Sequence, residues 1–77
     1  MKNYTKIFLE SNMDADIYGH RISTCIDDIN RGCKTLLVIV DKNITEKDIV
    51  DLLNMFKSVI NITDLKIEIV ERETCLQ

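Results

Sequence analysis

The longest unbroken apolar run in the chain is Leu36-Leu37-Val38-Ile39-Val40, bounded by Lys34-Thr35 and Asp41. In a strand, alternation sends Leu36, Val38 and Val40 to one side and Leu37 and Ile39 to the other. Neither side is left in water at low cost, so the pattern predicts a central strand over 34–41 with a covering on each face. Upstream, Lys6-Ile7-Phe8-Leu9-Glu10 is short, imperfectly alternating and charged at both ends, which predicts an edge strand over 4–10. Ile7 and Leu9 then face one way, and Lys6, Phe8 and Glu10 the other. Downstream, Leu65-Lys66-Ile67-Glu68-Ile69-Val70 alternates strictly, as a strand wet on one side does.

Between these strands the period changes. Ser11-Asn12-Met13-Asp14-Ala15-Asp16 supplies capping oxygens and early negative charge, and predicts a helix from about Asp14. Its inward stripe is Ala15, Tyr18, Ile22, Cys25, Ile26 and Ile29, and Asn30-Arg31-Gly32 closes it with Gly32 in the left-handed conformation. Gly19, inside this helix, costs about 1 kcal/mol against Ala and marks either close backbone packing or a fraying first turn. Thr45, with Asp48 three residues on, forms a capping box for a second helix. Ile49, Leu52, Leu53, Phe56, Val59 and Ile60 are its predicted buried face. The segment 71–77 reads as a frayed tail.

The predicted fold is therefore a single small α/β domain over 1–77, built β-α-β-α-β. Helix-length connections imply parallel pairing and right-handed crossovers. With strand order 1-2-3, both helices fall on one face of a two-layer domain and the other face stays open. The rival order, with the first strand central and a helix on each face, would sandwich Lys6 and Glu10. The open face then carries Phe8, one aliphatic set from the central strand, Val70, and the charges Lys6, Glu10, Lys66 and Glu68. An apolar strip with a charged rim is the composition of a contact surface.

Composition narrows the classes. The chain has 77 residues, 45% hydrophobic and 30% charged, which is a globular balance for one small domain. The net charge of -3, with ten scattered basic residues, argues against direct binding to a nucleic-acid backbone. No apolar run approaches the roughly 20 residues that span a bilayer, no leader segment is visible, and the expected setting is cytoplasmic. Three cysteines at wide spacing, Cys25, Cys33 and Cys75, fit reduced thiols.

Candidate chemistry is sparse. Asp14-x-Asp16-x-Tyr18-Gly19 begins like a calcium loop, but Tyr18 takes a ligand position and Cys25 stands where the closing glutamate belongs. Asp16 and His20 lie one helical turn apart and lack a third ligand. Cys33, beside Gly32 and Lys34, is the thiol placed nearest positive charge. Only two glycines occur, and neither starts a phosphate loop. No catalytic, cofactor or metal role is assigned to any residue, and no enzymatic activity is expected.

The segment from Asp14 through Val70, centred on Gly32-Cys33-Lys34-Thr35-Leu36-Leu37-Val38-Ile39-Val40-Asp41, resembles the core of the STAS domains that act as anti-sigma-factor antagonists. The resemblance implies a protein-binding switch. That family's Asp-Ser-Ser-Gly phosphorylation turn has no counterpart in Ile44-Thr45-Glu46-Lys47-Asp48, so no phosphoserine role carries over, and its two leading strands are missing.

Three functional readings follow. The first is a non-enzymatic interaction or regulatory protein, homodimeric or bound to another protein through the open face, with Phe8, Lys66, Glu68 and Val70 as contacts. The second is a small acidic inhibitor, of the kind phages and mobile elements encode, whose first-helix residues Asp14, Asp16, Asp27 and Asp28 block a basic site on a nucleic-acid-binding target. The third is a STAS-like switch or a fragment of a thiol- or metal-dependent enzyme.

Overall fold

The computed structural model describes residues 3–72. Its elements are β1 (Tyr4–Leu9), α1 (Ala15–Asn30), β2 (Thr35–Val40), α2 (Glu46–Val59) and β3 (Lys66–Glu71). The three strands pair in parallel in the order β1-β2-β3. This is the β-α-β-α-β domain the hydropathy pattern predicts, with the aliphatic run in the middle of the sheet.

The alternation that placed the strands also places the core. Ile7 and Leu9 from β1, and Leu36, Val38 and Val40 from β2, join Ile22 and Cys25 of α1 and Leu52 and Phe56 of α2 in one buried cluster. Every buried apolar residue of the sheet belongs to the same side, so both helices shelter that side. The helix ends follow their local chemistry. The Asp14 carboxylate accepts from the Asp16 N–H at the start of α1, and Gly32, at φ 118°, turns the chain after it. Thr45 and Asp48 form a reciprocal capping box at the start of α2, each side chain accepting from the other's backbone N–H.

Several expectations are corrected. Ala15 is exposed, because it lies in the first turn of α1 before the helix reaches the sheet. Val59 is 62% exposed, since the last turn of α2 runs past the edge of the core. Ile69 points to the helix side yet is 48% exposed, because β3 is the outermost strand and no element among the described residues covers its far flank. A Cβ built on Gly19 meets nothing within 4 Å, so close packing is not why glycine is there. The sheet also continues past Val70: Glu71 completes β3, and the Arg72 N–H donates to the Val40 carbonyl at 2.7 Å. The remainder of the expected tail, 73–77, lies outside the described residues.

The two sheet edges differ. The Leu9 carbonyl accepts from the Asp41 N–H and so faces β2; by alternation, the carbonyls of Lys6 and Phe8 face outward. Both are capped from α1, Phe8 O by Arg21 Nη1 at 2.8 Å and Lys6 O by the Cys25 thiol at 3.3 Å. On β3, Lys66 and Arg72 donate inward to β2, which turns the backbone of Ile67, Ile69 and Glu71 outward. Among the described residues no side chain caps that edge.

Candidate interaction face

The parallel registers set nine side chains in a grid on the side of the sheet away from the helices. Its rows across β1, β2 and β3 are Tyr4–Thr35–Lys66, Lys6–Leu37–Glu68 and Phe8–Ile39–Val70. The middle column is half-buried by its neighbours, Phe8 is half-buried at the flank, and Lys6, Lys66 and Glu68 stand exposed. Val70 is 44% exposed. One row is wholly apolar, one has an apolar centre between opposite charges, and one is polar.

Charges are arranged around Phe8. The Lys6 ammonium lies 5.7 Å and the Arg72 guanidinium 5.8 Å from its ring centroid, and both gain from the negative face of the ring. Glu10, one step beyond β1, is held by Arg21 at 3.2 Å and by Arg72 at 3.8 Å. On β3, Lys66 and Glu68 pair at 3.0 Å while largely exposed, and such a pair adds little to stability. Phe8 therefore remains on the open side, bracketed by cations. Tyr4 and Arg72 belong to this face and were missed from the sequence. Counting two positions back from Lys6 would have found Tyr4, whereas Arg72 lay beyond the predicted end of its strand.

Phe8, Lys66, Glu68 and Val70 are thus brought onto one surface. The four acidic residues of α1 are not. Asp14 and Asp16 stand at its start and Asp27 and Asp28 near its end, about 18 Å apart at 1.5 Å per residue. Asp14 serves as the helix cap. Asp28 turns toward the sheet and accepts from the Thr5 hydroxyl at 2.7 Å.

The titratable groups elsewhere are set by packing. Burial pushes the Cys25 thiol pKa up, with Asp28 and Cys33 adding to the shift and the Thr5 hydroxyl opposing it. Burial likewise raises Tyr18, helped by Asp51 and Asp48. Tyr18 lines a cleft of about 780 Å³ with Glu10, Met13, Asp48, Asp51 and Met55, between the two helices at the carboxyl end of β1. That is where open α/β sheets commonly take ligands. Here the lining carboxylates repel anions, and no glycine-rich turn presents backbone N–H groups. Among the described residues no three His, Cys, Asp or Glu side chains gather as a metal site, and no helix is long and apolar enough to cross a membrane. No protein-family model, curated protein or solved structure matches the chain.

Proposed function

We propose that the chain is a non-enzymatic interaction module that binds protein through its open sheet face. The observation that carries this reading is the grid itself: an apolar row, Phe8–Ile39–Val70, beside Leu37, rimmed by Lys6, Lys66, Glu68 and Arg72. β2 is the strand that most needs cover. Its helix-side residues are fully or nearly fully buried, whereas among the described residues Leu37 and Ile39 on the other side have only their neighbours in the sheet for shelter. Burying such a centre inside a charged rim is how specific protein contacts combine drive with selectivity.

The test is Phe8→Ser, which removes the largest apolar group of the face and none of the core. Light scattering after size exclusion, and capture of binding proteins on immobilised chain, are compared for wild type and variant after circular dichroism has shown both folded. Loss of self-association or of specific capture in the variant supports the reading. A wild-type chain that is monomeric, with a capture profile that Phe8→Ser leaves unchanged, would overturn it.

A further inference from the structure

We propose that the occupant of the open face is a second copy of this chain, laid on it about a two-fold axis running along β2 between the two sheets. The inference rests on the interaction reading above and adds to it the partner and the geometry. Rotation about that axis exchanges β1 and β3 while preserving height along the strands, so each row of the grid meets its own reverse. Lys6–Leu37–Glu68 falls on Glu68–Leu37–Lys6 of the second copy, giving two opposite-charge pairs around a leucine contact. Phe8–Ile39–Val70 falls on Val70–Ile39–Phe8, all apolar. Tyr4–Thr35–Lys66 falls on Lys66–Thr35–Tyr4, which brings each ammonium to a phenol ring.

The complementarity extends one step further. Glu10 and Arg72, already 3.8 Å apart within one chain, fall opposite Arg72 and Glu10 of the other. The single like-charge contact, Asp41 on Asp41 at the axis, lies between the two Arg72 side chains. A two-fold axis running across the strands would also stack the faces. It sets Lys6 on Lys6 and Glu68 on Glu68, an arrangement that like charges disfavour. The charge pattern therefore favours the axis along β2 over the axis across the strands.

The outer positions of the grid are about 10 Å apart across the strands and about 13 Å along them. A contact of that size falls short of the ~800 Å² per partner of a standard interface, so the dimer is concentration-dependent rather than permanent. Its drive is the paired Leu37 and Ile39 with Phe8 and Val70 at the flanks; its rim charges fix which way round the copies sit.

The experiment is sedimentation of the full chain from micromolar to millimolar concentration, for wild type, Lys6→Glu, Glu68→Lys and the double variant, each first shown folded by circular dichroism. Both substituted positions are exposed strand residues outside the core. The expected result is a wild-type dimer, at least tenfold weaker in each single variant, restored in the double variant, and no mixed dimer between the double variant and wild type. A double variant that stays monomeric, or that pairs with wild type, overturns the proposed axis while leaving the face in play. A wild type that is monomeric at millimolar concentration overturns the second copy alone. A dimer indifferent to both charge substitutions and to Phe8→Ser overturns this inference, and overturns the reading beneath it as well when the capture of other proteins is equally indifferent to Phe8→Ser.

Discussion

Cys25 shows how one side chain serves both the core and the edge of the sheet. Its sulfur is buried in the core at 1% exposure, its S–H caps the outward carbonyl of Lys6, and the Thr5 hydroxyl lies 3.5 Å away. Thr5 has one hydroxyl proton, and the 2.7 Å contact to the Asp28 carboxylate takes it in preference to the longer one. Burial then holds the thiol neutral to higher pH than the ordinary value of 9.0. Below about pH 9 folded and unfolded chains both keep this proton, and the thiol adds no pH dependence. Above it the unfolded chain releases the proton while the folded chain retains it, so the unfolded state gains and stability falls as pH rises toward the higher folded value. Tyr18, raised from 10.0 by burial and by Asp51 and Asp48, acts with the same sign at higher pH. Urea unfolding between about pH 8 and about pH 10 should show a steeper loss in wild type than in Cys25→Ala. Equal slopes in the two proteins would show that this thiol is not the cause.

The two helices were legible in sequence to different degrees, and energetics explains where. α2 has a full capping box and a stripe in which Leu52 and Phe56 are completely buried. Thr45→Ala should cost about 1 kcal/mol as the Asp48 N–H loses its acceptor. Phe56→Ala should cost about 3–5 kcal/mol, comparable with the whole stability of a domain this size. Val59→Lys should be nearly neutral, and thermal melts of the three variants give that order directly. Periodicity alone ranked Val59 with Phe56, because a helical stripe does not reveal where the partner surface ends. The same blindness applied to Ile69, since strand alternation assigns a side but not the width of the helix above it. The capping of the β1 edge by Arg21 was invisible for a different reason. It joins a helix side chain to a carbonyl 13 residues away, and nothing in local pattern encodes that reach. By contrast, Phe8, Glu68 and Val70 were placed on one face correctly, because period-2 alternation and parallel register are rigid once the strand order is known.

At the scale of the whole molecule, the nine buried apolar side chains found among the described residues cover one side of the sheet. Chains below about 70–80 residues hold roughly 3–5 kcal/mol from such a core, so covering Leu37 and Ile39 from outside is a sizeable addition. Self-association couples that addition to concentration by mass action. For a folded dimer that dissociates into two unfolded chains, a tenfold rise in concentration is worth about 1.4 kcal/mol per dimer, or about 0.7 kcal/mol per chain. With about 4–8 °C per kcal/mol for a domain this small, the melting temperature should rise by about 3–6 °C per decade once the dimer predominates. Leu37→Thr puts a β-branched residue of good strand propensity in its place while removing the apolar centre of the face. Its melting temperature should be lower and independent of concentration. Calorimetry of the two proteins over two decades of concentration checks the difference. A flat wild-type line would mean that the sheet's second face stays in water, and that the helix-side core alone holds the domain together.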